Sequence, residues 1–206
     1  SIEGELRKVE VQDIRPDTDP FLVEVSKNEK RTKKILAPII GDNLIEGANG
    51  LRKAIEIADN HGINNVVTAI SIDDKTSGHV VALQLTKNKN RWDISTYDPN
   101  REMFHGTISK IIDRIKEQDP SLKLHLNPRE KNHVIMENFQ GNCDAISKVV
   151  TAALLIGEPF VANLKKKCAK IGPDCMVEVA RALNPNIEKQ LEQRMDRIKS
   201  DRAAVP

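Results

Sequence analysis

Three stretches, NVVTAISI (Asn65–Ile72), HVVALQL (His79–Leu85) and RWDISTY (Arg91–Tyr97), decide how this chain folds. The first is β-branched and apolar, as a buried strand has to be. The second alternates and follows the turn Asp73–Gly78. The polar segment Lys87–Asn90 between the second and third reads as a hairpin loop. Asp98-Pro99-Asn100 ends the third, because proline cannot continue a ladder.

Helical periodicity flanks this block on both sides. Leu51, Ala54, Ile55 and Ala58 share one stripe of a predicted helix over Ala48–His61, and Gly62 is its stop. Ile108, Ile111, Ile112 and Ile115 do the same over Phe104–Lys116. Short strands are expected at Phe21–Val25, Leu122–Leu126 and His133–Met136. Ile35–Ile40 is an apolar run broken by Pro38, and the charge run Lys27–Lys34 reads as a solvated loop or helix face. A strongly apolar helix is predicted from Cys143 to Ile156. Further helices are expected over Phe160–Lys170, Asp174–Leu183 and Ile187–Lys199. This order predicts an α+β fold with a mixed or antiparallel central sheet flanked by helices.

The 206 residues suffice for one well-filled core. With 32 basic and 30 acidic residues the chain is not a strongly polybasic nucleic-acid binder. No run of 18 apolar residues exists to span a bilayer, and Ser1–Glu10 has no signal-peptide h-region. Aromatic residues make up only 3%, so the core has to be aliphatic. Cys143, Cys168 and Cys175 are an odd set, which reads as thiols in a reducing compartment, with Cys168 and Cys175 as small buried hydrophobes. No His/Cys cluster has zinc-ligand spacing, so no metal site is expected.

Three chemistry-bearing residues fall at element ends. His79 begins one strand of the hairpin and Asp98 follows the other, so pairing brings them to the same edge of the sheet. Cys143 opens the apolar helix, where the partial positive charge and free N–H groups favour a thiolate. His79 suits the role of its base, Asp98 that of the group orienting the imidazole, and Gln140 that of an oxyanion donor. Among the other histidines, His133 is the strongest rival to His79, but no carboxylate follows it at hairpin distance.

The segments Gly78–Leu85 and Trp92–Pro99, with Asn138-Phe139-Gln140-Gly141-Asn142-Cys143, resemble the histidine strand, the acid strand and the nucleophile segment of clan CE cysteine proteases. These are the ubiquitin-like-protein proteases. The order His, Asp, Cys matches that clan. The resemblance implies a ubiquitin-like-protease (papain-like cysteine proteinase) fold and a triad of Cys143, His79 and Asp98, with Gln140 as oxyanion donor. Its substrate would be ubiquitin or a ubiquitin-like modifier, and it calls for no cofactor. Val80 stands where the family has an aromatic residue, and Asp144 where it has glycine. Gln140 is three positions before the cysteine instead of five or six, which makes Asn138 a rival donor. These departures suit the divergent bacterial effector branch, which acts in the host cytoplasm. That branch also holds YopJ-type acetyltransferases with the same triad, whose inositol hexakisphosphate site would need a basic pocket such as Lys165–Lys167 with Lys170. A decayed binding module is the third reading. Residues 1–206 then form a single catalytic domain, with 1–34 a variable arm and 157–206 a helical part suited to substrate docking. Trp92, if near His79, would line the groove for the substrate tail.

Overall fold

A computed structural model describes residues 21–27, 30–40, 44–74, 77–97, 105–128 and 143–171, together with 175 and 179. Six strands form one sheet in the order β1-β2-β3-β4-β5-β6. They are β1 (Phe21–Lys27), β2 (Lys30–Ile40), β3 (Asn65–Asp74), β4 (Ser77–Asn88), β5 (Arg91–Tyr97) and β6 (Lys123–Leu126). Among the described residues, four helices accompany them: α1 (Leu44–Asn60), α2 (His105–Gln118), α3 (Cys143–Ile156) and α4 (Glu158–Ile171). The sheet is mixed. β2 and β3 are parallel, as are β5 and β6, and the remaining neighbours are antiparallel.

Each parallel pair needs a crossover, and α1 and α2 supply them. Both crossovers step in the same direction between strands that point the same way. Right-handed connections therefore put both helices on one face of the sheet. α1 and α2 accordingly pack on each other. Their apolar stripes, Leu51, Ala54, Ile55 and Ala58 with Ile108, Ile111, Ile112 and Ile115, meet Val81, Leu83 and Leu85 of β4 and Trp92 and Ile94 of β5. The even positions Val80 and Ala82 are buried on the other face, where α3 lies on β4 and β3.

Local chemistry sets the ends of these elements. Gly62, with φ 64°, closes α1: Ile63 N–H donates to Ala58 O and Gly62 N–H to Asp59 O. Gly157, with φ 147°, breaks the chain between α3 and α4 in a conformation that an L side chain rarely adopts. The loop between β4 and β5 is tighter than expected, only Lys89 and Asn90, and Lys89 takes φ 56°.

Several expectations need correction. In the charge run, Lys27 and residues 30–34 are strand and not loop or helix face, with Lys27 opposite Lys30 and Val23 opposite Lys34. Of the expected arm 1–34, residues 21–27 and 30–34 are strand, and residues 1–20, 28 and 29 lie outside the described part. The run Ile35–Ile40 belongs to β2. Its register slips by one residue between Ala37 and Ile40, around Pro38, which has no N–H to offer. The two buried cysteines Cys168 and Cys175 form a disulfide, so the expectation of free thiols fails for them. Seven residues apart, they look unpaired in the sequence, and the fold brings their Cα atoms to 5.1 Å. The predicted strand His133–Met136 lies outside the described residues, as do the predicted helices after α4 except for residues 175 and 179.

Leu51 is fully buried where α1 meets the sheet. Leu51→Ala is expected to lower stability by about 2–5 kcal/mol in denaturant titration. At the hairpin tip, Asn88 Nδ2 donates to Asp93 Oδ2 at 2.8 Å and Arg91 Nε lies 2.8 Å from Oδ1. The Asn88 bond, helped by Arg91 against the opposing effect of burial, holds the Asp93 carboxyl below its ordinary range. A depressed folded-state value stabilises the fold above the unfolded value of 3.8, and that contribution is lost as pH falls through the lower folded value. Asp93→Asn should therefore cost stability near neutral pH, with the difference from wild type shrinking in acid unfolding below about pH 4.

Candidate functional site

α3 lies on a sheet face that both crossover helices leave open, and polar bonds set its position along β4. Ser147 is fully buried and its Oγ donates to the carbonyl of Val80 at 2.9 Å. Thr151, one turn later and also fully buried, donates to Ser147 O at 2.7 Å. At the other end Lys34, 6% exposed, donates through Nζ to Leu154 O at 3.0 Å. The last carbonyls of a helix have no partner within it, so a cation is well placed there. Gly157, just past α3, shares a cavity wall with Gln84, Thr86 and Asn88. α3 therefore starts at the Val80 end of β4 and runs towards the Asn88 end.

This orientation places the sequence-predicted residues. His79 is in β4, paired with Ile72 of β3 and adjacent to Val80. Tyr97, the last residue of β5, pairs with Ala82, three positions from His79. Cys143 is the first residue of α3, four before Ser147, which is about 6 Å along a helix axis. The start of β4, the end of β5 and the start of α3 thus meet at one end of the sheet. Asp98, Gln140 and Asn138 lie outside the described residues.

Trp92 does not belong to this end. It pairs with Lys87, eight residues beyond His79, or about 27 Å along a strand. The indole is 1% exposed within the α1–α2 core, and Lys87 Nζ sits 5.7 Å from its ring centroid. A groove-lining role for Trp92 is therefore withdrawn: as the bulkiest apolar side chain of an aliphatic core, it packs inward. Of the other histidines, His61 is exposed, with Nδ1 2.8 Å from Ile57 O, and His125 is exposed on β6. His105 begins α2, and His133 lies outside the described residues.

Ser147 and Lys34 are the positioning residues that reading the sequence missed. Ser147 and Thr151 stand four apart in a largely apolar helix, and that spacing was the available signal. Lys34 gave none, because a lysine that folds inward looks the same in sequence as one that faces water. Ser147→Ala strands the buried Val80 carbonyl. It is expected to cost about 1–3 kcal/mol in denaturant titration, and Ser147→Thr, which keeps a hydroxyl, should lose less.

No protein-family model matches the chain, and no curated protein matches it. Among solved structures, the Legionella pneumophila effector protein RavZ aligns with 94% of this chain and 67% of its own, at 11% identity and a TM-score of 0.48. RavZ in complex with human LC3B aligns with 94% of this chain and 64% of its own, at 12% identity and a TM-score of 0.44. The structure of AvrA with IP6 and CoA aligns with 68% of this chain and 61% of its own, at 9% identity and a TM-score of 0.36. The chain spans about two thirds of the length of the RavZ chains it is similar to.

Proposed function

We propose that the chain is a thiol peptidase that hydrolyses the peptide or isopeptide bond after the C-terminal glycine of ubiquitin or a ubiquitin-like modifier. Cys143 is the nucleophile and His79 its base. Asp98 holds the imidazole in one tautomer, and Gln140 or Asn138 donates to the oxyanion. The observation that carries this reading is the Ser147–Val80 hydrogen bond of 2.9 Å. It ties the helical turn that begins at Cys143 to the residue beside His79. The β4–β5 register adds support, since β5 ends with Tyr97, the residue before Asp98 in the sequence, at the same end of the sheet. Val81, Leu83 and Leu85 face the α1–α2 layer, and His79 has the same parity. On this reading the imidazole and the thiol have to meet around the open end of β4, because α3 lies on the other face.

His79 takes the Cys143 proton as the sulfur attacks the scissile carbonyl. The C–N bond then breaks, the imidazolium protonates the leaving amine, and a thioester remains. Water attacks the thioester with His79 again accepting a proton, the C–S bond breaks, and the modifier leaves with a free carboxylate. The N-terminal turn of α3 offers N–H groups and a partial positive charge to the thiolate and the oxyanion. On this reading residues 1–206 are one catalytic domain, residues 157–206 dock the substrate's globular body, and the protein is a bacterial effector acting in a host cell.

A ubiquitin probe with a C-terminal electrophile should label Cys143. Cys143→Ala should abolish labelling and turnover without changing circular dichroism, and His79→Ala should slow turnover by about 10²–10⁴-fold. Turnover retained in Cys143→Ala would overturn the assignment. Autoacetylation dependent on acetyl-CoA, without probe labelling, would favour the YopJ-type transferase. Silence in both assays would favour a binding module.

A further inference from the structure

We propose a second site: the polar cavity at the opposite end of the sheet binds a neutral polyhydroxylated small molecule. The cavity has a volume of about 470 Å³, within the range of small-molecule sites. Its floor is the α3-facing side of β3, β4 and β5, and Gly157 and Pro159 at the α3–α4 break form its rim. Gln84, on the floor, lies five residues from His79, or about 17 Å along the strand. The cavity is therefore separate from the proposed thiol site.

The wall chemistry selects the ligand. Gln84 is only 6% exposed, yet its Oε1 has no hydrogen-bond partner among the described residues. Oδ1 of Asn65 is also buried and without a partner among the described residues. Buried acceptors in native folds are nearly always satisfied, and with Asp93 Oδ1 three such atoms line this cavity, so they call for donors that the described residues do not supply. Those donors need not carry charge. Asp93 already accepts from Asn88 and pairs with Arg91, and the Lys34 ammonium is bound to Leu154 O. Ser95 Oγ accepts from Asn127 Nδ2 at 2.9 Å, which leaves its own hydroxyl proton to donate. The cavity thus presents acceptors and a donor side by side, which matches hydroxyl groups, since each hydroxyl gives one hydrogen bond and takes others. Among the described residues no lining side chain is aromatic, and Trp92 faces the other side of the sheet. Recognition therefore rests on hydrogen bonds, and a stacked nucleobase does not fit.

The test uses the full chain, titrated by calorimetry with glucose, galactose, mannose and myo-inositol, and with glucosamine and glucose 6-phosphate as charged counterparts. Saturable binding of at least one neutral member is expected, with shifts in the side-chain amide NMR signals of Gln84 and Asn65. Gln84→Leu, which keeps the bulk and removes the acceptor, should weaken binding by about tenfold or more, the effect of one lost hydrogen bond. Asn65→Ala, at a half-buried position, should do the same and decides the question if Gln84→Leu does not fold. The proposal falls if no neutral polyol binds saturably, if only charged analogues bind, or if both variants bind like wild type.

Discussion

The handedness of two crossovers governs this molecule. The connections from β2 to β3 and from β5 to β6 both run between parallel neighbours, and both step the same way across the sheet. A right-twisted sheet accepts such connections in one hand, so α1 and α2 share a face. Their isoleucine and leucine stripes then complete one aliphatic core against the odd positions of β4. The even positions are left for a helix from elsewhere in the chain. Where α3 sits is therefore a consequence of how the first two helices are wound.

Burial alone would not set α3 along the sheet axis. Hydrophobic attraction has no direction, and an apolar helix can slide by a turn at little cost in buried area. The polar contacts of Ser147 and Lys34 remove that freedom, because a buried hydroxyl or ammonium out of register would be left unsatisfied. They also give the sheet two different ends. At one, the start of α3 meets the start of β4 and the end of β5. At the other, the break at Gly157 lies over a cavity lined by the amide side chains of Asn65, Gln84 and Asn88.

Most of the secondary structure was legible because neighbours along the chain decide it. The strands from Asn65 to Tyr97 are β-branched and bounded by turn residues, and α1 ends where Gly62 can take the left-handed conformation that its cap needs. The hairpin of β1 and β2 was misread because Lys27, Lys30, Arg31, Lys33 and Lys34 look solvated. Charge says nothing about whether a second strand is there to pair. Cys168 and Cys175 look like separate hydrophobes for the same reason, since nothing in the residues around each shows that the two meet. The single tryptophan could be core or groove by its chemistry. Only its register opposite Lys87 put it in the core, far from His79.

By itself the sequence determined the period of each element, the places where glycine and proline interrupt them, and the appearance of His79 and Cys143 at the beginnings of a strand and a helix. Those properties follow from side-chain shape and backbone dihedral preferences within a few residues. The tertiary structure alone decided that β2 and β5 have parallel partners, that α3 lies opposite α1 and α2, and that its first turn faces the start of β4. These facts depend on contacts between residues as far apart as Lys34 and Leu154 or Val80 and Ser147. Such pairs become neighbours only once chain entropy has been overcome and unsatisfied polar groups choose among the few arrangements that bury the apolar faces.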